Sequence, residues 1–167
     1  MSSAEKILAL LKSQNKKLVI AESLTGGLLT AEFAKVPGAS EVLLTGVVAY
    51  ETSLKHELLG VSKHLLENQG AVDPEVAAQM AEGLRNKISH KLGIELQAVV
   101  SISTTGVAGP TEQDGKAVGE LYICVSMGPE GSVSSNVFAH QLAGDRAQIQ
   151  NAAVLLGLSH RWAEIAE

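Results

Sequence analysis

The chain has 167 residues, 46% of them hydrophobic and 19% charged, with a formal net charge of −5; this length is expected to form a single domain over residues 1–167 that buries about 70% of its unfolded surface. The acidic balance and five aromatic side chains exclude a broad basic surface or a stacking platform for nucleic acid. A lone cysteine, Cys124, excludes a disulfide within the chain and a metal site built on cysteine pairs.

Ile7, Leu8, Leu10 and Leu11 fall at helical spacing and read as a first helix. Charged residues interrupt this segment, so it lacks the apolar core of a signal peptide, and no stretch reaches the ~20 apolar residues of a membrane span. A soluble, cytoplasmic protein without membrane contact is expected. Residues 17–21 read as a strand and 25–36 as a helix stopped by Pro37-Gly38. Residues 43–50, apolar and β-branched at their centre, read as a strand buried on both faces. Ser53 is placed to cap a short helix carrying Leu54, Lys55, Leu58 and Leu59, and Ser62 to cap a short turn through Leu66. Gly70 ends that turn. Asp73-Pro74-Glu75 supplies an N-cap, a proline at the first helical position and an acidic first turn for a helix reaching about Leu92. Residues 98–103 and 119–127 read as strands, with 132–141 as a hairpin partner across Gly128-Pro129-Glu130-Gly131. Gly144-Asp145-Arg146 opens a last amphipathic helix with Ile149, Ala152, Ala153, Leu156 and Trp162. The alternation predicts an α/β fold, a three-layer α/β/α sandwich around a mixed, partly parallel sheet.

Four segments place polar residues or glycines directly after an apolar strand or open a helix with them, and the strand ends of a parallel sheet share a crevice where ligands bind. They are Glu22-Ser23 with Thr25-Gly26-Gly27, Tyr50-Glu51-Thr52 followed by Lys55, Thr104-Thr105-Gly106-Val107-Ala108-Gly109-Pro110, and Gly144-Asp145-Arg146. A serine before a helix is ordinarily an N-cap. Two glycines in a first helical turn each cost about 1 kcal/mol, which points to a need for close approach to backbone N–H groups at residues 25–27. As a nucleophile Ser23 needs a base, and none of the five histidines adjoins a glycine-rich strand end. Lys55 is the alternative base if burial lowers its pKa by about 3 units; a lysine on a solvated helix face is the plainer reading. Tyr50 supplies either a supporting hydroxyl or an ordinary strand tyrosine. Residues 104–118 form a long connection in which Gly106 and Gly109 allow an anion-binding nest, while Arg146 suits a phosphate or an ion pair with Asp145. No Walker loop or dinucleotide fingerprint is present, and the carboxylates and histidines lack metal-ligand spacing.

Together, Ala21-Glu22-Ser23-Leu24-Thr25-Gly26-Gly27, Gly46-Val47-Val48-Ala49-Tyr50 with Lys55, Gly70-Ala71-Val72, Thr105-Gly106-Val107-Ala108-Gly109-Pro110, Val118-Gly119 and Gly144-Asp145-Arg146 resemble the CinA C-terminal domain family, in the family's order. The resemblance implies a nicotinamide-nucleotide amidase that converts nicotinamide mononucleotide to nicotinic acid mononucleotide and ammonia, with frequent homo-oligomers and neither metal nor other cofactor. It implies Ser23 as nucleophile, Lys55 as base and Tyr50 as supporting hydroxyl. Thr25, Gly26 and Gly27 would serve the oxyanion, Thr105, Gly106 and Gly109 the substrate, and Arg146 its phosphate. Larger members carry an N-terminal domain resembling molybdopterin-binding proteins, whose activity is not expected of these residues. Glu51, Asp73, the stretch Thr111-Glu112-Gln113-Asp114 and Gln150 depart from the family's commoner pattern. Acidic side chains facing a phosphate pocket would weaken it. The rival expectation is a non-catalytic nucleotide-binding or sensing module; DNA handling, suggested by the family's competence-related name, conflicts with the net charge.

Overall fold

The computed structural model describes residues 1–159. Trp162, which the sequence places in the last helix, therefore lies outside the described residues. Helix α1 (Ser3–Ser13) opens with a capping box in which Ser2 and Glu5 satisfy each other's backbone N–H groups. Strand β1 (Lys17–Glu22) follows, then helix α2 (Leu28–Ala34), strand β2 (Leu43–Val48) and helices α3 (Thr52–Leu59) and α4 (Lys63–Gln69). Helix α5 (Pro74–Leu92), strands β3 (Val99–Gly106), β4 (Glu120–Met127) and β5 (Ser134–Gln141), and helix α6 (Arg146–Ser159) complete the order.

The five strands form one sheet in the order β2-β1-β3-β4-β5. Strand β1 pairs in parallel with β2 and β3, whereas β3, β4 and β5 pair antiparallel. The sheet is mixed, as the alternation predicted. Strand periodicity divides its apolar side chains between two cores. Leu18, Ile20, Val100 and Ile102 pack with Ile7 and Leu11 of α1, Leu29 and Phe33 of α2, and Ile149 and Ala153 of α6. Val19, Ala21 and Val99 pack on the other face with Leu59 of α3 and Val76, Met80 and Leu84 of α5. The result is the expected α/β/α layering.

Strand β2 departs from the expectation of burial on both faces: none of its residues is fully buried, because it is an edge strand with β1 as its one neighbour. It also stops at Val48 rather than Tyr50. Strand β3 runs longer than predicted, so Thr104, Thr105 and Gly106 are strand residues and the connection begins at Val107. Parallel pairing sets Glu22 beside both Val48 and Thr104. Antiparallel pairing brings the start of β4 and the end of β5 to that same end, with Gly106 opposite Leu121 and Glu120 opposite Gln141. One rim of the sheet thus collects all four sequence segments.

Candidate active site

Glu22 ends β1 on the same side as Leu18 and Ile20, fully buried, and its carboxylate accepts hydrogen bonds from the N–H groups of Gly27, Leu29 and Thr30 at 3.0, 3.1 and 2.8 Å. The Thr30 hydroxyl donates to it as well. A carboxylate thereby closes the positive end of α2. This changes the part assigned to the glycines. The Gly27 N–H is held by Glu22 and the Gly26 N–H donates to Ser23 O at 3.0 Å, so neither amide is open to an oxyanion. Gly26 (φ 57°) and Gly27 (φ 98°) instead take left-handed backbone that lets the chain reverse after Ser23. Thr25 is also buried, its hydroxyl 2.8 Å from that of Thr104. The amides of Leu24 and Thr25, next after Ser23, have no acceptor among the described residues. Those two, rather than the glycine amides, are left open to a ligand.

Ser23 is not the N-cap of α2; Gly27 holds that position without a side-chain bond. The Ser23 N–H donates to Thr104 O at 3.0 Å, which fixes the residue against β3 while leaving its hydroxyl for another partner. That partner is Lys55. Its Nζ lies 3.0 Å from Ser23 Oγ and donates to Ala49 O at 2.8 Å. Lys55 is 1% exposed, on the buried side of α3 together with Leu59. The solvated-lysine reading therefore fails. Burial lowers its pKa from the ordinary 10.5 to about 8, with the Glu51 carboxylate partly opposing the drop. Glu51, not Ser53, caps α3, accepting from the N–H groups of Ser53 and Leu54 at 2.8 and 3.3 Å.

A cavity of about 260 Å³ is lined by the buried or half-buried Ser23, Leu24, Ala71, Val72 and residues 106–109, and by the exposed Tyr50, Thr111, Glu112, Gln113 and Arg146. Arg146 donates through Nη1 to Gly109 O at 2.6 Å and through Nη2 to the Tyr50 hydroxyl. Tyr50 is 53% exposed, and its hydroxyl bonds to Arg146 rather than to Ser23 or Lys55. Gly106 and Gly109 line the cavity as expected, but Thr105 is fully buried, and its hydroxyl donates to Ala71 O at 2.6 Å. It braces the wall instead of facing a ligand.

Most of the unusual residues are accounted for by the same bonds. Asp73 caps α5, Asp114 accepts from the Ala71 N–H at 3.4 Å, and Gln150 Nε2 donates to Leu24 O at 2.8 Å. Among the described residues, no three His, Cys, Asp or Glu side chains gather as a metal site, and no helix is long and apolar enough to cross a membrane. Sequence reasoning missed the structural parts of Glu22 and Gln150. An acidic residue in phase with Leu18 and Ile20 was the available signal for Glu22, since a buried carboxylate requires donors. Gln150 carried no comparable signal.

The chain is similar to known proteins over most of its length. Residues 1–162 match the family model described as the CinA C-terminal domain. A CinA-like protein of Frankia casuarinae is 41% identical over 152 residues, 91% of this chain and 32% of that protein. A putative competence-damage inducible protein of a Geobacillus species is 39% identical over 155 residues, 93% of this chain and 35% of that one. The chain spans about a third of the length of these curated relatives. The crystal structure of a CinA superfamily protein from Enterobacter cloacae superposes with a TM-score of 0.83 at 27% identity, covering 98% of this chain and 90% of that one. The competence/damage inducible protein CihA from Agrobacterium tumefaciens gives 0.81 at 28% identity, covering 96% and 92%. With the family model matched over nearly its whole length, this chain belongs to the CinA C-terminal domain family.

Proposed function

We propose that the chain is an amidohydrolase that deamidates nicotinamide mononucleotide to nicotinic acid mononucleotide and ammonia. The observation that carries this reading is the 3.0 Å separation of Ser23 Oγ and Lys55 Nζ in a buried setting beneath the cavity. As an ammonium, Lys55 donates to Ser23. Once the amine loses its proton, its lone pair can accept the serine proton, and a pKa near 8 makes that neutral form accessible at modest cost near pH 7. Ser23 Oγ then bonds to the carboxamide carbon while Lys55 takes its proton. The developing oxyanion lies toward the Leu24 and Thr25 amides, and removing one such donor typically costs about 100- to 1,000-fold in rate. Collapse breaks the C–N bond, with the Lys55 proton passing to the departing nitrogen as ammonia. Water then cleaves the ester, giving the carboxylic acid and restoring Ser23. Arg146, exposed in the cavity lining, suits the phosphate, and its bond to Gly109 O orients the guanidinium.

The test is ammonia release from nicotinamide mononucleotide, with the acid product identified by mass. Release by the unaltered chain and its loss in Ser23→Ala supports the reading. Binding without release supports a sensing module instead.

A further inference from the structure

Among the cavity's lining residues, Arg146 and Glu112 carry full charges of opposite sign. Neither forms a salt bridge with a described residue. The guanidinium is held by neutral acceptors, Gly109 O and the Tyr50 hydroxyl. Nearby carboxylates are engaged by backbone N–H groups: Glu51 at α3, Asp73 at α5, Asp114 at Ala71 and Asp145 at Gln148. Glu112 is exposed and has no such partner among the described residues. A ligand filling this cavity therefore meets an open cationic group and an open anionic one.

This pairing distinguishes between ligands of otherwise similar shape. A purely anionic nucleotide gains from Arg146 and loses to Glu112. A nucleotide that also carries a cationic ring gains from both. We propose that Glu112 is a specificity-determining residue that favours the oxidised, pyridinium form of a nicotinamide nucleotide over its reduced, uncharged-ring form. The inference rests on the amidase reading and deepens it, since the reduced form retains the carboxamide, ribose and phosphate and differs chiefly in ring charge. Because Glu112 is solvent-exposed, its contribution falls in the range of a surface ion pair, up to about fivefold in affinity, and is screened by salt.

The experiment is calorimetric titration of the full chain carrying Ser23→Ala, which blocks turnover, with oxidised and reduced nicotinamide mononucleotide at low and high salt. The oxidised form is expected to bind up to about fivefold more tightly at low salt. Adding Glu112→Gln should remove that preference, Glu112→Lys should reverse it, and high salt should shrink it. A preference unchanged by Glu112→Gln, or equal loss of affinity for both nucleotides, overturns the assignment of Glu112 and leaves the amidase reading standing. Failure of both nucleotides to bind overturns both.

Discussion

Replacing Lys55 by methionine tests whether the amine is held at a thermodynamic disadvantage, independently of any substrate. The side chain is 1% exposed, and burial lowers its pKa from 10.5 to about 8. At about 1.36 kcal/mol per pH unit, that drop represents about 3 kcal/mol of disfavoured charge in the folded state. Below pH 8 both folded and unfolded chains carry the proton, so the native protein bears the full cost. Between pH 8 and 10.5 the native amine is neutral while the unfolded one still binds a proton, and stability rises with pH. Above 10.5 the cost is gone. Lys55→Met has no such dependence, although the donor lost to Ala49 O adds a constant offset of about 1–3 kcal/mol. Urea unfolding of both proteins from about pH 7 to 10 isolates the lysine, because all other titrations cancel in the difference. The stability of the unaltered chain relative to the variant should climb by most of the 3 kcal/mol. A difference that stays constant with pH refutes the argument that Lys55 titrates below its ordinary range.

Three further outcomes follow from the same geometry. Ammonia release should rise about tenfold per pH unit below pH 8 and level off above it, because the neutral amine is the base; a profile flat from pH 6 to 9 would contradict that role. Arg146→Ala should raise KM about 10- to 100-fold with little change in kcat, as expected for a charge-assisted bond to phosphate, measured by initial rates over a substrate series. In Gly83→Ala, the new Cβ would stand 1.6 Å from Leu59 O, pushing α5 from the end of the helix that carries Lys55. Thermal unfolding should show a loss of about 1–3 kcal/mol, with a parallel fall in turnover.

The sandwich was legible because strand and helix periods alternate plainly and because Asp73-Pro74 marks the start of α5. The edge position of β2 was not legible: an apolar, β-branched run looks alike whether one neighbour or two flank it, and strand order depends on pairing. In the site, Ser23, Lys55, Tyr50 and Arg146 were chosen on residue type and spacing, and the fold brings them to one rim. The division of labour within the glycine segment was not readable. It turns on Glu22 holding the amides that the glycines were expected to offer: its phase with Leu18 and Ile20 signals burial, but not which donors the buried carboxylate finds. Thr105 was misplaced for a related reason: strand β3 continues through it and turns its hydroxyl to Ala71 rather than into the cavity.

The pairing of Ser23 with Lys55 is tested most directly by the kcat values of Ser23→Ala, Lys55→Ala and the double variant on nicotinamide mononucleotide. Two groups acting as a unit lose their effect together, so each single change should cost on the order of 1,000-fold or more and the double change little beyond that. Losses that multiply, or turnover that survives in either single variant, would contradict a serine nucleophile served by a lysine base.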